Sequence, residues 1–206
     1  MSEGAGPGAA SALEPEELAR ANFYGLTSRF FYGPPDSNFL AEIHRSGSGP
    51  EEGGNDLVAA WRRLQGSCRT AYPAVLRQEY DSVFVGVGKA EITPYISGYA
   101  EPTGPDRYLV RLREQLSAWG LARKERVFEV EDHISGICDV MRWLIEEQRA
   151  LADQRRFFET FAYRGVAGLC AALQKSSTAV FYKDVAALTS SFFELERLAF
   201  EIGDSE

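Results

Sequence analysis

The sequence predicts an all-α fold, a single compact helical domain of about eight helices. Three observations predict it. Apolar residues recur at helical spacing in one segment after another. Those segments open on Pro, Asp or Asn and close on Gly or a Pro-Asp turn, the residues that start and stop helices. No period-two run of useful length competes; "SVFVGVG" (82–88) is the sole β-like stretch, and a helical flank precedes it. No internal repeat is evident.

The elements follow in order. Residues 1–13 are rich in Gly, Ala and Ser and are expected to form a disordered tail, ahead of a helical domain over 14–202. Pro15, with Glu14, Glu16 and Glu17, suits a first helical turn. Ala19, Phe23, Leu26 and Phe30 recur at i, i+4, i+7 and i+11 and predict its buried face. "YGPPD" stops this helix, and Asp36 caps a short one through Ile43. A loop spans about 45–56, and Asn55 or Asp56 caps the helix "LVAAWRRLQ". A further helix over roughly 70–85 takes Pro73 in its first turn and sets Tyr72, Val75, Leu76, Glu79 and Val83 on one side.

Residues 86–105 mix Gly, Pro and aromatic residues. A connection of this length inside a compact domain is usually functional or disordered, and its aromatic content argues for order. Leu109, Leu112, Leu116 and Trp119 mark a helix ended by Gly120. "ARKERVFEVE" is a linker. A long helix then runs from Asp132 to about Ala152, another covers 153–174, and the last covers about 178–201.

Composition narrows the function. Acidic residues outnumber basic ones 30 to 22, and the net charge of −8 disfavours phosphate-backbone binding while favouring basic ligands or peptides. Cys68, Cys138 and Cys170 are far apart with no CxxC, which suits a reducing compartment and buried thiols. The first residues lack the basic and apolar regions of a signal peptide, and no apolar window is long enough for a membrane span. A cytoplasmic location is the expectation.

The stretch "VFEVEDHISGICDVM" (127–141) carries one of the two histidines, His133. A metal site is disfavoured: His133 and Cys138 fall about 140° apart around a helix, and no HExxH pairing exists. "GVGKA" (86–90) has the wrong spacing for a phosphate-binding loop and Ala90 where Ser or Thr belongs. No G-x-S-x-G nominates a nucleophile for His133. Asp132 is a good helix N-cap. Ile134, Ile137, Cys138, Met141, Leu144 and Ile145 face the core, and Asp132, Asp139 and Glu146, seven apart, form an acidic stripe on another face.

Four segments in this order resemble one family. "LARANFYGLTSRFFYGPPDSNFL" looks like its opening helix and Pro-Asp turn. Tyr80, Phe84, Gly86, Gly88, Pro94, Tyr95, Ser97 and Tyr99 match its aromatic-Gly-x-Gly motif and the Pro-aromatic-Ser pattern that follows. "EVEDHI" matches its E-P-x-D-H-I through Glu129, Asp132, His133 and Ile134, and "TAVFYKDVAALTSSFFELE" looks like its last helix. The chain thus resembles the TorD/DmsD family of cytoplasmic chaperones for twin-arginine-exported molybdoenzymes, over about residues 18–197. It departs from the pattern at Val130, where the family has Pro, and at Ile137. "FAYRGVAG" also lacks the His and Trp expected in that region.

The resemblance implies a TorD-like helical fold and no catalysis. It implies binding of the twin-arginine leader, or the apo form, of a molybdoenzyme subunit during cofactor insertion and proofreading. No cofactor, metal, nucleic acid or membrane insertion is expected of the chaperone itself, which would be a monomer or homodimer. The expected peptide-binding residues are Tyr95, Ser97, Tyr99, Glu129, Glu131, Asp132, His133 and Asp139. Asp132 meets a guanidinium bidentately, the other carboxylates add attraction, and the tyrosines stack on guanidinium or line an apolar slot. His133 donates to a peptide carbonyl, and its protonation would oppose arginine binding. The alternatives are a permanent non-catalytic subunit of a redox complex and a small hydrolase using His133.

Overall fold

A computed structural model describes residues 13–47, 55–86, 89–121 and 131–202. Residues 1–12 of the expected tail, most of the 45–56 loop, and Glu129 with most of its linker lie outside the described residues. The described chain is helical, and its sole extended pairing is an isolated antiparallel bridge between Tyr95 and His133. The helices are α1 (Pro15–Tyr32), α2 (Ser37–Arg45), α3 (Asn55–Thr70), α4 (Pro73–Tyr80), α5 (Ser97–Ala100), α6 (Pro105–Ala118), α7 (Ile134–Glu146), α8 (Leu151–Phe157), α9 (Tyr163–Lys175) and α10 (Phe181–Ile202). A π-helical turn, Asp81–Val85, extends α4, and this is where the β-like "SVFVGVG" run goes. A second, Phe158–Ala162, joins α8 to α9, so the helix expected over 153–174 is continuous but bulged.

Helix starts and stops follow the sequence where the signal is local. Pro15, Pro73 and Pro105 each lie in a first turn, and Asp36 caps α2 by accepting from Phe39 N at 2.8 Å. Gly120, at φ 71°, closes α6: Gly120 N donates to Ser117 O and Leu121 N to Leu116 O. That is a Schellman closure with glycine in the left-handed position. The same closure, built on Gln148 at φ 50°, ends α7 at Glu146, six residues earlier than the periodicity predicts. Gln148 N donates to Ile145 O and Arg149 N to Leu144 O. Nothing in the sequence marks a non-glycine residue for that conformation.

α1 packs along α7, α10 against α9, α3 and α1, and α2 against α3. The core is unusually aromatic. Tyr24, Tyr108, Tyr182, Phe30, Phe31, Phe157, Phe158 and Phe193 are fully buried. Each buried tyrosine hydroxyl finds an acceptor, as burial of a polar tip requires. Tyr24 donates to Glu196 at 2.9 Å, Tyr182 to Phe30 O at 3.2 Å, and Tyr108 to Phe161 O inside the π-bulge. That last contact ties α6 to the bulge between α8 and α9.

Two predicted faces need correction. On α1 the core takes Ala21, Tyr24, Phe30 and Phe31, whereas Ala19 is exposed and Phe23 and Leu26 are half-buried. Apolar side chains surround most of α1, so periodicity alone does not select the face that α7 covers. On α4, Leu76 is buried and the π-helical turn buries Val83, but Tyr72 and Val75 are exposed.

Glu79 serves a different helix from its own. Its carboxylate accepts from Val180 N at 2.8 Å, Phe181 N at 3.2 Å and Tyr182 N at 2.9 Å, capping the start of α10 from outside. Ser176 holds the preceding turn, its hydroxyl oxygen accepting from Thr178 N and Ala179 N. These two devices start α10 at Phe181, three residues later than expected. Glu79→Ala is expected to lower stability by about 1–2 kcal/mol, the usual size of a lost carboxylate cap. Glu79→Gln, which keeps an acceptor, should lose less; paired urea melts followed by circular dichroism check the order.

Candidate functional site

The site is built where the 89–101 connection crosses the head of α7. Two backbone hydrogen bonds make the bridge: Ile96 N donates to Asp132 O and Ile134 N to Pro94 O, both at 3.0 Å. The Tyr95 ring stands edge-on to His133, centroids 5.4 Å apart. The aromatic loop and the Glu-Asp-His turn are therefore one unit.

Asp132 is buried. Its Oδ2 accepts from Ser97 N at 3.3 Å, so its carboxylate serves the first turn of α5. The expectation that Asp132 caps α7 is corrected here. His133 is the N-cap, its Nδ1 accepting from Ser135 N at 3.2 Å. That acceptor role requires the neutral imidazole with its proton on Nε2. The ring is buried too, and the Ser135 hydroxyl donates to Ser28 O at 2.9 Å, tying α7 to α1.

The charge of Asp132 still acts at a distance. Burial, and after it the Asp132 carboxylate, pushes the Tyr108 hydroxyl well above its usual range. Arg113 is held above the ordinary guanidinium range mainly by its hydrogen bond to Glu131, with a smaller contribution from Asp132. The predicted acidic stripe is interrupted, because Asp132 is buried while Asp139 and Glu146 are exposed. Glu146 pairs with Arg142 at 2.6 Å.

The expected site residues thus divide into two groups. Asp132, His133 and Ser97 are buried and form the scaffold. Tyr95, Tyr99 and Glu131 are half-buried and Asp139 exposed, so they keep surface to offer. Tyr99 donates to Thr93 O at 3.1 Å, and burial raises its pKa. Glu131 carries a two-pronged contact from Arg113 at 3.0 and 3.2 Å.

Several contributors escaped the sequence reading. Arg113 pairs with Glu131 from α6, a partner no local pattern marks. Gly165 and Gly168 on α9 let the loop approach. A Cβ on Gly165 would stand 2.8 Å from Ile96 Cβ, and one on Gly168 would stand 2.7 Å from Tyr99 Cβ. Two small residues three apart on one helix face were the available signal, in the "FAYRGVAG" segment noted for what it lacks.

Little here suits covalent chemistry. Cys138 and Cys170 are buried, and burial pushes the Cys170 thiol up to about 12 and Cys138 well above its usual value. Thiols so protonated are poor nucleophiles. Among the described residues no three His, Cys, Asp or Glu side chains converge as a metal site would need, and no helix is long and apolar enough to cross a membrane.

Comparison with protein families matches residues 51–174, more than half of the chain, to the family described as nitrate reductase delta subunit. The matched region contains both the Pro-Tyr loop and the Asp-His turn. Comparison with curated proteins finds no match.

Proposed function

The chain belongs to the nitrate reductase delta subunit family, whose members are chaperones of molybdoenzyme maturation and not catalysts, and on that premise we propose that its client is the apo form of a molybdoenzyme catalytic subunit carrying a twin-arginine leader. Binding takes place in the cytoplasm, before export. It holds the leader while the cofactor is inserted.

The observation that carries this reading is the fixed placement of Tyr95 against the head of α7, with Glu131 in the adjoining turn. An aromatic face beside a carboxylate is a chemistry that holds a guanidinium. The Glu131–Arg113 pair leaves Arg113 half exposed. Exposed ion pairs are weak, so an arginine of the leader exchanges for Arg113 at small cost. Buried Asp132 contributes a fixed negative charge behind this surface, in place of the bidentate contact the sequence suggested. Asp139 adds a second carboxylate one helical stretch further along α7.

The test is calorimetric titration of a synthetic twin-arginine leader into wild type, Tyr95→Ala and Glu131→Gln. Each variant is expected to bind about five- to tenfold more weakly. A leader with both arginines changed to lysine should lose a similar factor against wild type, since Lys cannot make the planar fork. Wild-type affinity in both variants, with unchanged circular dichroism, would remove these residues from the leader site.

A further inference from the structure

The outward face of α3 carries arginines that have no acidic partner. Arg62, Gly66 and Arg69 are exposed and fall within about 60° of one another around the axis, with exposed Arg63 and Thr70 at the edge of the same face. No position three or four residues from any of these arginines holds a carboxylate, so no pair can form along the helix. The one acidic residue of α3, Asp56, lies in its first turn. Asp184 of α10 reaches α3 at Ser67, whose hydroxyl donates to it. Elsewhere on the surface Arg29 pairs with Glu42, Arg111 with Glu101, Arg142 with Glu146, and Arg197 with Glu194 and Glu201. Among the described residues Arg62, Arg63 and Arg69 make no such contact.

The end of α2 adds to this face. The Gln65 side-chain amide, between Arg62 and Arg69, donates to Ser46 O at 2.7 Å and to Gly47 O at 3.1 Å. That clamp holds the end of α2 against α3 and brings exposed Arg45 alongside. Arg45 Nε donates to Ala41 O at 3.0 Å, and among the described residues its guanidinium meets no carboxylate. Four guanidiniums thus collect in a chain whose net charge is −8. An added Cβ on Gly66 would meet nothing within 4 Å, so the backbone lies open between the arginines and a narrow segment can approach closely.

The charge balance selects the occupant. At physiological salt, charges more than about 8 Å apart are largely screened, so a narrow acidic segment meets the arginines and little of the net negative charge. A membrane or a nucleic acid is an extended polyanion and would face the acidic remainder of the chain as well. Ala59, Gly66 and Thr70 are the other exposed members of this face, which offers no large apolar side chain to enter a bilayer and no aromatic ring to stack on a base.

We propose that this face of α3 binds an acidic segment of a partner protein. Its carboxylates are taken by the Arg62 and Arg69 forks, about 10 Å apart along the axis, and by Arg45 and Arg63 at the edges. The face lies outside the proposed leader surface, which is built on α5, α6 and α7, and it does not depend on the leader reading.

Two fluorescein-labelled peptides of about ten residues, long enough to cross the face when extended, test it. One alternates Glu with Gly and Ser; the other has Gln in place of Glu. Anisotropy titration of the full chain at low salt should show the Glu peptide binding about tenfold more tightly. Arg62→Gln/Arg69→Gln should erase that ratio while leaving leader titrations unchanged. Arg107→Gln/Arg164→Gln, which removes the same charge from α6 and α9, should keep it. Equal binding of the two peptides, or an equal loss in both double variants, overturns the proposal. So does tighter binding of phosphatidylglycerol vesicles or of a single-stranded oligonucleotide than of the Glu peptide, since the face would then serve a different class of partner. A marked gain in Glu-peptide affinity in Glu51→Gln/Glu52→Gln also overturns it, because the chain's own carboxylates would then be the occupants.

Discussion

Gly165→Ala is expected to destabilise the protein by about 2 kcal/mol, although alanine is the better helix former by about 1 kcal/mol. The sign is decided by what the new methyl meets. Its Cβ would lie 2.8 Å from Ile96 Cβ and 2.9 Å from the Ile96 carbonyl oxygen. A backbone oxygen cannot step aside as a side-chain tip can, so α5 must lift away from α9. Lifting α5 loosens the Ser97 N–H from Asp132 and strains the Tyr95–His133 bridge. The proposed leader surface should therefore loosen along with stability. Gly66 provides the control. It is exposed in the interior of α3, with nothing within 4 Å of an added Cβ. Gly66→Ala should stabilise by about 0.5–1 kcal/mol through propensity alone. Urea melts of the two variants should move in opposite directions. Two shifts of the same sign would mean that α5 does not pack on Gly165 as described.

Glu196→Ala carries the larger expected loss, about 3–5 kcal/mol. Its carboxylate is only 3% exposed and receives both Arg20 Nε at 2.8 Å and Arg20 Nη2 at 2.9 Å, with the Tyr24 hydroxyl at 2.9 Å. Burial alone would lower the Arg20 pKa; the Glu196 carboxylate outweighs it, and the guanidinium ends above its ordinary value. Removing Glu196 leaves Arg20 with Glu17 alone and strands the Tyr24 hydroxyl in the core. At about 2–4 °C per kcal/mol for a chain of this size, the melting point should fall by roughly 6–20 °C. The double variant Arg20→Met/Glu196→Leu should recover much of the loss, because neither partner is then buried unpaired. A double variant as unstable as the sum of its singles would show that the pair does not act as a unit.

Part of this molecule was readable in one dimension. Helix class, the Pro-marked first turns, the Asp36 cap and the Gly120 stop depend on contacts within a few residues, and their signals lie within the same few residues. The Pro-Tyr loop and the Asp-His turn were identifiable as partners through the family resemblance. How they partner was not. A cap is normally local, which points Asp132 to the start of α7; its side chain instead serves Ser97, thirty-five residues upstream. His133 took the vacated cap.

The misread stripe of α1 has the same origin. Ala19, Phe23, Leu26 and Phe30 fit a buried face as well as Ala21, Tyr24 and Phe31 do, and a single helix carries no information on which neighbour will arrive. The second set is fully buried, Tyr24 against Phe192 and Phe193 of α10 and Phe31 against Phe84 and Tyr182, while Phe23 and Leu26 touch the core only in part.

The sequence by itself determined that this chain is helical, where most helices begin, and the family to which its motifs point, since propensity, capping and motif spacing are properties of short segments. Tertiary structure alone decided which acidic residues are scaffold and which are surface, which face of α1 is core, and which helix Glu79 caps. Those outcomes depend on burial and on partners tens of residues away, and desolvation acts on a side chain only after the packing around it exists.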